Sequence, residues 1–79
     1  MKIPKPGTLV KIYWADIVGG INQPERKIVP QNCTTVGWIQ RVEPEYLVIA
    51  SSGYEDDDEQ TIDGGAIPLG CILKVTRLR

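Results

Sequence analysis

Between Thr34 and Leu78 the chain sets out its apolar residues in short runs separated by turn chemistry. Val36 to Val42 is a strand-like run. Its alternation places Val36, Trp38, Gln40 and Val42 on one face and Gly37, Ile39 and Arg41 on the other, with Trp38 directed to the core. Glu43-Pro44-Glu45 interrupts it, and Pro44 pre-sets a turn dihedral. Tyr46-Leu47-Val48-Ile49-Ala50 follows as the near-continuous apolar run of a central strand, so the pair predicts a tight hairpin. Upstream, Val10, Ile12 and Trp14 alternate with Lys11 and Tyr13, which predicts a half-buried first strand. Pro4, Pro6 and Gly7 keep that strand from starting earlier.

The segments between these runs read differently. Residues 15–32 hold Gly19-Gly20, Pro24 and Pro30 among polar residues, which predicts a long ordered loop with at most an irregular strand at Lys27 to Val29. Glu55-Asp56-Asp57-Asp58-Glu59 is a charge run that repels itself into solvent. A short strand at Thr61-Ile62 or Ala66-Ile67 is expected beside an Asp63-Gly64-Gly65 turn. Pro68-Leu69-Gly70 then reads as one tight helical turn feeding a last strand through Ile72 to Val75. No segment keeps a helical period over the roughly 11 residues that define one. The pattern is all-β, with about five strands.

Seventy-nine residues fit one domain, 1–79, with room for one small core. No run approaches the roughly 20 apolar residues of a membrane span. The first residues lack the apolar centre of a secretory signal, so a cytoplasmic protein without a membrane partner is expected. Cys33 and Cys71 match no metal spacing and read as partly buried thiols. The chain has no histidine, the commonest general base and metal ligand, and its serines and threonines have no base nearby in sequence. No catalytic residue, cofactor or metal site is therefore expected, and an enzyme is the least favoured class. A net charge of −1 does not supply the basic surface of a nonspecific nucleic-acid binder. A local cationic face is still available. Lys2, Lys5 and Lys11 lie near one end of the chain and Lys74, Arg77 and Arg79 near the other, and neighbouring terminal strands would bring them together.

Three resemblances bear on the fold. Val10-Lys11-Ile12-Tyr13-Trp14-Ala15-Asp16, Trp38-Ile39-Gln40-Arg41 and Ala66-Ile67-Pro68-Leu69-Gly70-Cys71-Ile72 resemble the first strand, the tryptophan strand and the proline turn of SH3 domains. That resemblance implies a small SH3-like barrel with a long first loop and a 3-10 turn before the last strand. Cys71 stands where those domains carry a groove tyrosine, so the likeness implies the fold and not a groove for proline-rich peptides. The order of Gly37-Trp38-Ile39, Tyr46-Leu47-Val48-Ile49 and Cys71 to Val75 is similar to an Sm-like ring-forming barrel, without that family's signature in the hairpin turn. Tyr13-Trp14-Ala15-Asp16, Val36-Gly37-Trp38-Ile39 and Ile67-Pro68-Leu69-Gly70-Cys71-Ile72 resemble small proteins of phages and prophages. This last resemblance covers most of the chain outside residues 17–33 and implies a protein expressed in a host cell.

The function expected is that of a non-catalytic module binding a host or defence protein. Its partner-binding residues would be Tyr13, Asp16 and Tyr54 with Glu55 and Asp56 of the acidic loop, since tyrosines anchor interfaces and an acidic loop can occupy a basic groove. A second class is an oligomeric binder of a small signalling nucleotide, with Lys11, Arg41 and Lys74 as the cations for phosphate. A weak Sm-like nucleic-acid binder comes third. Trp14 and Trp38 are assigned to the core on bulk.

Overall fold

In a computed structural model, residues 2–17, 19–54 and 59–79 are described. Five antiparallel strands form one sheet. They are β1 (Leu9–Asp16), β2 (Gln31–Val42), β3 (Tyr46–Gly53), β4 (Ile62–Pro68) and β5 (Ile72–Arg77), in the order β4-β3-β2-β1-β5. Two 3-10 turns, Glu25–Lys27 and Leu69–Cys71, lie between strands. Among the described residues no helix is long and apolar enough to cross a membrane.

β2 organises the sheet. Its first half pairs with β1, from Gln31 opposite Asp16 to Trp38 opposite Leu9. Its second half pairs with β3, from Trp38 opposite Ala50 to Val42 opposite Leu47. A bulge between Ile39 and Arg41 interrupts the second of these pairings. The expected Glu43-Pro44-Glu45 turn closes the β2–β3 hairpin, with the Glu43 N–H donating to the Tyr46 carbonyl at 2.8 Å. Each strand contributes to one aliphatic core: Val10 and Ile12 from β1, Ile39 from β2, Leu47 and Ile49 from β3, Ile67 from β4 and Ile72 from β5. Trp14, Val75, Leu69 and Ile3 pack against its margin.

Four expectations are corrected. A closed barrel was the implication of the SH3 likeness, but β4 and β5 stand at opposite edges of an open sheet. The turn Leu69–Cys71 spans from one edge to the other, held to the hairpin by the Leu69 N–H donating to the Glu45 carbonyl at 2.9 Å. Trp38 is not core: it is 45% exposed, and Ile39 is fully buried in its place. The reason is phase. Gly37 lies against β3 where no side chain fits, which turns Trp38 outward and Ile39 inward. Asp63-Gly64-Gly65 is not a turn but the body of β4, because Gly64 sits against the β3 backbone. No strand forms at Lys27 to Val29, where Lys27 ends the 3-10 turn Glu25–Lys27, and the long loop ends earlier because β2 already begins at Gln31. Trp14, also assigned to the core, is half-buried at its margin, its Nε1–H donating to Thr35 Oγ1 at 2.9 Å.

Candidate functional site

The outer face of β2-β1-β5 follows from register. Residues directly opposite one another in a sheet project to the same side. Val10 and Ile12 point to the core, so Leu9, Lys11, Tyr13 and Ala15 face outward. Their partners on β2 are Trp38, Val36, Thr34 and Asn32. On β5, Lys74 lies opposite Tyr13 and Thr76 opposite Lys11. The result is an outward patch with Tyr13 at its centre and Val36, half exposed, beside Lys11.

Two ammonium groups converge on the Tyr13 ring. Lys11 Nζ lies 5.1 Å from the ring centroid and Lys74 Nζ lies 5.7 Å from it. Both distances are within the range in which a cation is attracted to the negative face of an aromatic ring. Lys11 reaches the ring from two positions back on β1, and Lys74 from directly across the β1–β5 ladder. None of the residues paired on this face is a carboxylate. Among the described residues the ion pair is Arg41 to Glu43, at 3.5 Å, at the far end of β2. The chain's net charge of −1 thus conceals a local cationic surface.

Of the residues singled out from sequence, the structure brings Tyr13, Lys11 and Lys74 together. Arg41 is apart from them, beside Glu43 with its guanidinium 5.5 Å from the Tyr46 ring centroid. Asp16 ends β1 three positions after Tyr13, and its Oδ1 accepts the Ile17 N–H at 2.9 Å. Tyr54 follows β3, is 77% exposed and borders a different concavity from the Tyr13 patch. Glu55 and Asp56 lie outside the described residues. Tyr13, Asp16 and Tyr54 therefore do not form one cluster.

Sequence reasoning missed the exposed surroundings of Trp38. A concavity of about 770 Å³ runs from Gly7 and Trp38 past Ser52 to Tyr54 and Gln60. A smaller one of about 320 Å³ lies among Lys5, Leu9, Trp38, Arg77 and Arg79. The N-terminal segment is fixed there by Gly7 N–H donating to the Ile39 carbonyl at 2.7 Å and Ile39 N–H donating to the Thr8 carbonyl at 3.0 Å. The signal was present in the chain as the clustering of basic residues near both termini. The phase of β2 hid that Trp38 would stand among them. A third, mostly apolar concavity of about 400 Å³ lies between Ala15 to Ile17, Ile28 to Pro30 and Cys71. Among the described residues no group of three histidine, cysteine, aspartate or glutamate side chains could hold a metal ion.

Comparison of the chain with protein-family models, with curated proteins and with solved structures finds no match.

Proposed function

We propose that the chain is a non-catalytic binding module that docks its β2-β1-β5 outer face on an acidic surface of a partner protein. The observation that carries this reading is the convergence of Lys11 and Lys74 on the Tyr13 ring. A tyrosine with two cations over its ring presents a large amphipathic contact whose lysines are already partly ordered, so less side-chain entropy is lost on docking. Val36 supplies apolar area beside it, and the polar Thr34 and Thr76 complete a mixed surface of the kind interfaces use. Charge selects the partner: carboxylates opposite Lys11 and Lys74 speed association and fix its register. The resemblance to phage and prophage proteins supports a protein of the host cell as that partner. The strand order and the 3-10 turn between β4 and β5 support reading the open sheet as an SH3-like roll.

Affinity capture from host lysate tests the reading when wild type is compared with the K11E/K74E and Y13A variants. An acidic protein captured by the wild type, released by moderate salt and lost from both variants is the expected result. Partners retained equally by all three proteins, or no partner at all, would overturn it. Circular dichroism confirms that the variants are folded; Lys74 is exposed, and Lys11 and Tyr13 are half-buried outside the aliphatic core.

A further inference from the structure

β4 and β5 are the two edges of the sheet, and they are guarded differently. β5 carries Lys74 and Arg77, charged side chains of the kind that keep another strand from pairing with an edge. β4 carries Gly64, Gly65 and Ala66, all exposed, with Asp63 as its one charge. Two hydrogen bonds fix which of its backbone groups face outward. The Ser51 hydroxyl donates to the Asp63 carbonyl at 3.1 Å, and the Leu69 N–H donates to the Glu45 carbonyl at 2.9 Å. Both bonds point toward the β3 side. The C=O and N–H of a trans peptide point in opposite directions, so the Gly64 N–H and the Pro68 carbonyl point away from β3. Between these ends the direction alternates. Gly65 and Ile67 turn their backbone groups to Ile49 and Leu47, and the N–H and carbonyl of Ala66 face outward. The edge therefore presents an ordered row of donors and acceptors, and no described strand takes them.

We infer that β4 pairs antiparallel with β4 of a second copy of the chain, about a twofold axis at Gly65. Self-complementarity selects this occupant. In that register the N–H and carbonyl of Gly64 meet the carbonyl and N–H of Ala66 of the second copy, and the reverse holds across the axis. Pro68 has no N–H to give, and it falls at the end of the pairing, where its carbonyl accepts the N–H of Ile62. The side chains brought together at the centre are small, and a Cβ at Gly65 would meet open space. Asp63 falls opposite Ile67 and not opposite its own counterpart, so like charges stay apart. The same patch serves both copies, and the contact closes with two. Its axis runs perpendicular to the sheet, which keeps both aliphatic cores on one side and both Tyr13 rings on the other. A chain of 79 residues with one small aliphatic core is also of the size that association helps to stabilise. This contact does not rest on the docking face.

Sedimentation velocity of the full chain tests the inference. The mass should rise from monomer to dimer as the concentration approaches millimolar, since an edge contact buries little surface. A66P removes an outward N–H and no bond to β3. G65K sets two ammonium groups side by side at the axis. Both variants should stay monomeric and remain folded by circular dichroism. R77P is the control for the other edge. The Leu78 N–H donates to the Leu9 carbonyl at 2.9 Å, so the backbone of Arg77 faces the outer side of β5, and R77P should dimerise as the wild type does. The amides of Gly64 and Ala66 should gain protection from hydrogen exchange at concentrations that give the dimer. A monomer at every concentration, or a dimer that survives both A66P and G65K, would overturn the inference. Larger assemblies that R77P disperses would also overturn it, in favour of β4 pairing with β5 of the next copy. So would Gly64 and Ala66 amides protected only by a captured partner protein, which would make the edge a site for that partner.

Discussion

Gly37 and Gly64 press on the same stretch of β3 backbone, at Ile49 and Ala50, from the two strands that flank it. A Cβ on Gly37 would collide with the Ala50 carbonyl oxygen, and one on Gly64 with the Ile49 carbonyl oxygen. Backbone cannot rotate aside as a side chain can, so the sheet would have to open at β3. G37A and G64A should each destabilise the fold by about 1 to 3 kcal/mol, the usual cost of overpacking a filled interior. G65A is the control, because open space surrounds that position. Urea denaturation should show midpoints lowered for the first two and little changed for the third. Equal midpoints for G64A and G65A would contradict the packing at β3.

The exchange of roles between Trp38 and Ile39 gives a second prediction. Ile39 is fully buried among Ile12, Leu47 and Ile49, whereas Trp38 is 45% exposed. I39A should cost about 2 to 5 kcal/mol, as large-to-small changes in cores do. W38A should cost far less, despite removing the larger side chain. The comparison by thermal denaturation is decisive because the alternation of the sequence alone favours the opposite order.

That reversal shows where the sequence was legible. The hairpin turn at Glu43 to Glu45, the apolar run of β3, the alternation of β1 and the 3-10 turn before β5 all rest on local chemistry, and all stand in the structure. The phase of β2 does not rest on local chemistry. Both alternating sets in 36–42 contain apolar residues, and the choice between them is made by the approach of Gly37 to β3. The same contact type converts Gly64-Gly65 from an apparent turn into strand. Closure of the sheet was equally invisible, because it depends on how far β4 and β5 splay. At the candidate site, Tyr13, Lys11 and Lys74 could each be picked out by residue type, but their meeting required the β1–β5 register. Arg41 had the same credentials and ended elsewhere.

Trp14 and Thr35 are joined across β1 and β2 by the indole N–H to Oγ1 bond of 2.9 Å, at a half-buried position. T35V keeps the shape and removes the acceptor, leaving the indole N–H to find water. A loss of about 0.5 to 1.5 kcal/mol is expected, the net worth of such a bond. T35S, which keeps an acceptor, should recover most of it in urea denaturation. A T35V protein as stable as wild type would mean that water replaces the hydroxyl without cost.

The Tyr13 patch makes a prediction that separates ring from hydroxyl. Lys11 and Lys74 are positioned by the aromatic face, so the phenolic oxygen is not needed to hold them. Y13F should therefore retain affinity for an acidic partner within about twofold. Y13A should lose about tenfold or more, which corresponds to about 1.4 kcal/mol. The two lysines share one ring, so their effects should couple. In a double-mutant cycle of K11A and K74A on partner binding, the double variant should differ from the sum of the singles by about 0.5 kcal/mol or more, the signature of residues in contact. Raising the ionic strength should slow association of the wild type and have less effect on the double variant, because the charge that steers the encounter is gone. Strict additivity together with a salt response unchanged in the double variant would mean that Tyr13 and its lysines lie outside the docking surface.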